Sequence, residues 1–210
     1  MINRLRVKQK LLGISSAALL LFLLIALDVI FGGRLAVFDQ IVHRCSLGWH
    51  TPLWDQIIYA LTHLGNLSTM LFYSLLVTIL LSWKKMWREL RLYWFGMLGS
   101  AMLFSSIKEL VDRPRPSSYI GDFHQHGYSF PSGHATMSMT FALLLFVLFY
   151  PKLSEGYQRL LVFFCLLFPV LIALSRVYLG VHYFSDILAG MTLGIFWVTL
   201  MVWVFQARLD

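Results

Sequence analysis

Apolar residues in this chain fall in long runs, not in the stripes of surface helices or the alternation of half-buried strands. Six runs approach or reach the length needed to cross a bilayer, which takes about 20 helical residues at about 1.5 Å rise each. They lie at about 11–32, 67–83, 93–111, 133–150, 160–179 and 186–206. The expected fold is therefore all-α: a polytopic membrane protein of six transmembrane helices, forming a single domain over 1–210. The first interval, 33–66, is long, and its portions 38–47 and 53–64 mix apolar and polar residues. They predict short interfacial helices in the first outer loop, with Trp49 and Trp54 as anchors. Gly180 is expected to end the fifth span, and Pro169 to kink it.

Composition agrees: 59% of the 210 residues are hydrophobic and 13% are charged, against about 25% charged in a soluble domain. The net charge of +7 would raise nucleic acid as a partner in a soluble protein. Here the basic residues sit mainly at the ends of apolar runs, which is how topology is encoded, so nucleic-acid binding is rejected. The basic N-terminus resembles a signal peptide. Its apolar run is too long, and no small-residue cleavage site follows, so it is read as an uncleaved first span. Cys45 and Cys165 should lie at different membrane depths, which argues against a disulfide.

Charge also sets orientation. Arg4, Arg6, Lys8, Lys10, Lys84, Lys85, Arg88, Arg91, Lys152, Arg159 and Arg208 fall in the N-terminus, two short connections and the tail. The positive-inside rule puts these segments, and both termini, in the cytoplasm. Arg34, Arg44, Lys108, Arg113, Arg115 and Arg176 remain on the outer side. A charge at mid-bilayer costs about 2.5–3.5 kcal/mol on insertion scales. These cations are therefore expected at the outer interface or in a hydrated cavity, where they suit an anionic ligand such as phosphate.

Three stretches reach that outer side. In the first, Lys108 points from the last turn of span three, and Pro114 and Pro116 stiffen an extended exit that holds Arg115. Taken alone, the stretch is better explained as a cationic helix end answering the dipole, followed by a proline stop. In the second, Pro131-Ser132-Gly133-His134 opens span four. Ser132 is a good N-cap, Gly133 admits a ligand close to the backbone, and free N–H groups at a helix start attract anions. A capped helix with an interfacial histidine is the plainer alternative. The third places Arg176, His182 and Asp186 around Gly180. His182 and Asp186 are four apart and share a face if a helix starts that early. A carboxylate on one imidazole nitrogen leaves the other free for attack. A Ser185 or Asp186 helix cap beside a spectator histidine is the competing account.

The combination is more specific than its parts. Two histidines, a carboxylate, three cations and a helix N-terminus meet on one side of the membrane, as phosphoryl transfer through a covalent histidine requires. No carboxylate cluster resembles a magnesium site. Lys108-x6-Arg115-Pro116, Pro131-Ser132-Gly133-His134 and Ser175-Arg176-x5-His182-x3-Asp186 together resemble the three-part signature of the type-2 phosphatidic acid phosphatase family. The resemblance covers essentially the whole chain, because the six-run layout matches the family's membrane branch.

It implies a lipid phosphatase of a bacterial plasma membrane, with its active site at the outer face. The substrate would be a lipid phosphate or pyrophosphate, such as undecaprenyl pyrophosphate, phosphatidylglycerol phosphate or phosphatidic acid. His182 would be the nucleophile, Asp186 its orienter, and His134 the proton donor and then the base. Lys108, Arg115, Arg176, Ser132 and Gly133 would bind the phosphoryl oxygens, with no metal or other cofactor. A phosphotransferase and a non-catalytic lipid carrier are the alternatives on the same scaffold.

Other residues carry weaker expectations. His124 and His126 form a pair in a glycine-rich loop near the substrate entrance. His63 and Gly65 touch the site from the first loop. Glu109 and Asp112 pair with nearby cations. Arg113 gathers anionic head groups. Asp28 has no role.

Overall fold

The computed structural model describes residues 2–117 and 127–207, with side chains from residue 5 to residue 205. His124 and His126 lie outside the described residues. The described elements are all helical. They are α1 (Ile2–Ile30), α2 (Arg34–Leu47), α3 (Pro52–His63), α4 (Leu67–Trp83), α5 (Trp87–Val111), α6 (Gly133–Phe149), a short 3-10 turn (Tyr150–Lys152), α7 (Glu155–Tyr178) and α8 (Phe184–Ala207).

Each predicted apolar run falls almost entirely within one helix, and most of these helices extend past the apolar stretch into polar flanks. Helix propensity does not stop where hydropathy does, since Lys, Arg, Glu and Gln are good helix formers. Among the described residues, α1, α6, α7 and α8 are long and apolar enough to cross a membrane. α3 and α4 pass that test together, as a pair bent by 45°. α5, at 25 residues, is not in that set; its ends carry Arg88, Glu89, Arg91, Lys108 and Glu109. The two first-loop helices form close to their expected places. Thr51 caps α3 by accepting from Trp54 N at 3.3 Å, with Pro52 in its first turn. Asp28 has a structural role after all: its Oδ1 accepts from Leu35 N at 2.8 Å, tying the end of α1 to the start of α2. α7 stays helical through Pro169. Both cysteines are free thiols.

α6 and α8 form the middle of the bundle, with α1, α5 and α7 packed around them and α4 against α5. α6 buries Ala135, Thr136, Ser138, Met139, Thr140 and Ala142, so its interior side is built largely of small residues. Across from it, α8 carries Gly190 and Gly194, a small-xxx-small spacing that lets backbones approach closely. A methyl group added at Gly190 would stand 2.6 Å from the Ser132 carbonyl oxygen, and one at Gly194 would stand 3.0 Å from that of Thr136. Even alanine at position 190 would therefore push α8 off α6. The close approach brings the two helix starts level: Ser132 N donates to Asp186 O at 3.0 Å.

Polar contacts between apolar helices fix the rest. Tyr93 Oη donates to Ser74 Oγ at 2.8 Å, Trp94 Nε1 to Thr78 Oγ1 at 3.1 Å, and Ser100 Oγ pairs with Thr140 Oγ1 at 2.8 Å. At one end of the bundle, Lys152 Nζ meets Glu89 Oε1 at 3.1 Å and Arg88 Nη2 donates to Phe205 O at 3.1 Å. The three signature stretches gather at the other end.

Candidate active site

The α7–α8 turn is closed by its backbone. Gly180 takes φ +67°, in the left-handed region where glycine is favoured. Val181 N donates to Arg176 O at 3.2 Å and Gly180 N to Val177 O at 3.0 Å. That paired pattern is a Schellman stop. His182 follows at once, and α8 starts only at Phe184. His182 and Asp186 thus do not share a helical face, contrary to the simple four-residue reading. Instead, the Asp186 carboxylate folds back over the turn. Its Oδ2 accepts from Tyr183 N at 2.8 Å and lies 3.4 Å from His182 Nδ1.

Arg115 fixes the tautomer of that ring. Its Nη1 lies 3.1 Å from His182 Nε2. A guanidinium can only donate, so Nε2 is the acceptor and Nδ1 carries the proton, facing Asp186. The nitrogen with the available lone pair is therefore Nε2. Arg115 is held by Val181 O at 2.8 Å and Gly127 O at 3.0 Å.

Ser132 caps α6 as expected, accepting weakly from Ala135 N at 3.5 Å. His134, in the first turn, is oriented from the α3–α4 link. Its Nε2 donates to Asn66 Oδ1 at 3.0 Å, and the Asn66 amide nitrogen contacts His63 Nδ1 at 2.6 Å. Gly65 abuts the same ring, because a methyl there would lie 3.1 Å from His134 Cδ2. The first loop does reach the site, as expected of His63 and Gly65. Gly133 is needed for packing too, since its Cβ would stand 2.9 Å from the Phe104 ring.

Lys108 Nζ donates to Tyr128 O at 2.7 Å. A cavity of about 250 Å³ opens among these groups. Lys108, Arg115, Gly133, His134 and His182 line its polar side, and Leu67, Met70 and Met137 its apolar side. Ser132, Arg176 and Asp186 do not line it. Arg176 is fully buried and donates to Thr62 Oγ1 at 2.7 Å. Two histidines and two cations on one small cavity suit a phosphoryl group, which needs positive charge for its oxygens and a nearby proton carrier.

A family model described as the PAP2 superfamily matches residues 89–210, more than half of the chain. The chain belongs to the PAP2 superfamily. It is 31% identical over 188 residues to phosphatidylglycerophosphatase B of Bacillus subtilis, covering 85% of this chain and 88% of that protein. It is 30% identical over 162 residues to lipid A 4'-phosphatase of Bacteroides thetaiotaomicron, covering 70% and 68%. The crystal structure of a transmembrane PAP2-type phosphatidylglycerolphosphate phosphatase from Bacillus subtilis superposes with a TM-score of 0.80, at 25% identity over 93% of this chain and 97% of that one. Aquifex aeolicus LpxE shares the fold, with a TM-score of 0.62 at 24% identity over 78% and 93%. With its apolar helices, this PAP2 chain is an integral membrane protein.

The PAP2 match contains all three signature stretches but starts after α4. Thr62, Gly65 and Asn66, which support Arg176 and His134, lie outside it. Sequence reading missed Asn66 and Thr62; polar residues at the edge of the second apolar run were the available signal. Arg113 is a correction: it does not face outward to gather head groups. Its Nη1 binds Asp186 Oδ1 at 2.6 Å, and its guanidinium stacks 4.2 Å from the Tyr183 ring centre.

Burial holds the His182 imidazole well below its ordinary pKa near 6.5, and the Arg115, Lys108 and Arg176 cations push it in the same direction. A lowered pKa keeps the ring neutral below pH 6.5. The acid limb of kcat/KM belonging to His182 is therefore expected below that pH. In Arg115→Gln, which removes one of these cations, the limb should move upward. A pH–rate profile in which the two limbs coincide would contradict this account.

Proposed function

We propose that this protein is a bacterial plasma-membrane lipid phosphatase that works through a phosphohistidine at the outer membrane face. The observation that carries this reading is the setting of His182, with Nδ1 3.4 Å from Asp186 Oδ2 and Nε2 3.1 Å from Arg115 Nη1 beside a cation-lined cavity. Nε2 attacks phosphorus as the bond to the lipid oxygen breaks, and that oxygen takes a proton from His134, whose imidazolium form the bound anionic phosphate stabilises. His134, now neutral, removes a proton from water. The hydroxide attacks phosphorus, the P–N bond breaks, and inorganic phosphate leaves with His182 regenerated. Asp186 stabilises the charge on the phosphorylated ring. Lys108, Arg115 and the Gly133 N–H hold the phosphoryl oxygens from the cavity wall, with Arg176 and Ser132, both buried, supporting the clamp from outside the lining. These residues supply the charge neutralisation, so the proposal needs no metal.

A lipid substrate is supported by a second cavity, of about 390 Å³, lined by Leu64, Tyr73, Val77, Phe141, Leu145 and Phe168 among others. It continues the same seam: Met70 is followed by Tyr73 and Val77 along α4, and Met137 by Phe141 along α6. A phosphate in the first cavity would leave its tails facing the second. The names of the relatives favour a lipid phosphate monoester, and a lipid pyrophosphate fits the same clamp. With α5 and the α3–α4 pair counted as spans the chain crosses six times, which sets both termini on one side; the positive-inside rule makes that side the cytoplasm, with α2 at the interface. The separation of the basic end from the signature end supports this orientation.

The test is phosphate release by the purified chain in detergent, with a chelator present. Phosphatidylglycerol phosphate, phosphatidic acid and undecaprenyl pyrophosphate are offered side by side. Release from at least one is expected. Loss of release with chelator would overturn the metal-free scheme, and label appearing on a second lipid would make the protein a phosphotransferase. No release from any lipid would return it to a carrier.

A further inference from the structure

Asp39 lies on α2, far in sequence from all three signature stretches, yet it is 1% exposed. A buried carboxylate persists only where it is paired and hydrogen-bonded. Its Oδ1 accepts from Ser185 N at 2.8 Å, and its Oδ2 from Ser185 Oγ at 2.5 Å and Arg113 Nη2 at 2.8 Å. Arg113 Nη1 then reaches Asp186 Oδ1 at 2.6 Å. One guanidinium therefore bridges two carboxylates, giving one N–H edge to each.

We propose that Asp39 is a positioning residue that, through Arg113, holds Asp186 in the orientation that serves His182. This inference rests on the reading of His182 as nucleophile. Arginine readily forks both its N–H groups onto a single carboxylate. Asp39 occupies one tine and prevents this. Asp186 then receives Arg113 at Oδ1 alone, and Oδ2 stays with His182 Nδ1–H and Tyr183 N. The Tyr183 ring, 4.2 Å from the guanidinium carbon, restrains the fork in its plane. Ser185 is part of the same lock, because Asp39 binds both its amide and its hydroxyl. α2 thus contributes to the geometry of the nucleophile without touching the reacting atoms.

Asp39→Asn preserves shape but must turn an NH2 toward one of these donors, which breaks the lock. Outer partners of comparable kind, behind metal ligands, cost about 10–100-fold when removed. The expected result for Asp39→Asn is a fall in kcat of about that size, with KM close to wild type. A cycle with Asp186→Asn separates positioning from general support. If Asp39 acts through Asp186, the double variant is no slower than Asp186→Asn alone. Losses that multiply, or a wild-type kcat in folded Asp39→Asn, would overturn the proposal.

Arg113→Lys is the second variant, used if Asp39→Asn does not fold. It keeps the charge but loses the fork, so the same fall in kcat is expected, and wild-type kcat would overturn the proposal. His182→Ala and wild type are run in parallel. An inactive wild type, or an active His182→Ala, overturns the nucleophile reading and this inference with it. An active wild type with inactive His182→Ala and unchanged Asp39→Asn overturns the inference alone.

Discussion

Replacing His182 by alanine is expected to stop turnover and to remove the covalent intermediate. The nucleophile of a serine protease contributes about 10⁶-fold to kcat, and a fall of that order is expected here if His182 forms the covalent bond. The fold should survive. His182 is in the turn, and the Schellman hydrogen bonds that close it run between backbone atoms of Arg176, Val177, Gly180 and Val181. Circular dichroism should thus match wild type while phosphate release disappears. With a lipid labelled on phosphorus, wild type quenched during turnover should carry acid-labile label and His182→Ala none. Label that persists in the variant would assign the nucleophile elsewhere.

His134→Ala should lose about 10²–10⁴-fold, the usual span for a positioned acid and base. The diagnostic feature is its dependence on the leaving group. An alkoxide leaving from a lipid ester needs a proton in the transition state, whereas a phenolate leaves with little help. The deficit should therefore be large for a lipid phosphate and much smaller for an aryl phosphate in the formation of the phosphohistidine. His134 also activates water in the second step, so the aryl substrate should show a burst of phenol followed by slow turnover. Equal deficits for both substrates, with no burst, would leave His134 a phosphate-binding residue only. Because Asn66 holds Nε2 of this ring, Asn66→Ala should reproduce part of the same pattern.

Part of the candidate site is legible in the sequence. Lys108, Arg115, His134 and His182 line one cavity, and Ser132 caps α6 as its residue type predicts. Arg176 was legible as a signature cation, but it is fully buried and donates to Thr62 Oγ1, which its neighbours in sequence do not reveal. Arg113 looked like a surface cation beside the signature, because its charge is local information and its partners are not. Asp39 and Asn66 carried no periodic or motif signal, since each acts through a contact more than 60 residues away in the chain. The six apolar runs all became helices, but α5 is polar at both ends and α4 reaches spanning length only with α3. Hydropathy therefore located the helices, while the number of spans turns on α5 and the α3–α4 pair.

The order of residues was enough to establish an all-helical membrane chain and to mark the three stretches that gather at one end of the bundle. Those properties follow from hydropathy, charge and capping, which are summed over neighbours along the chain. The partner of each His182 nitrogen, the partner of each Asp186 oxygen and the partial burial of Arg113 came from packing. They depend on Gly190 and Gly194 letting α8 close on α6, and on α2 delivering Asp39 to the turn. Such directional contacts, fixed to tenths of an ångström, arise only when distant segments are held against one another.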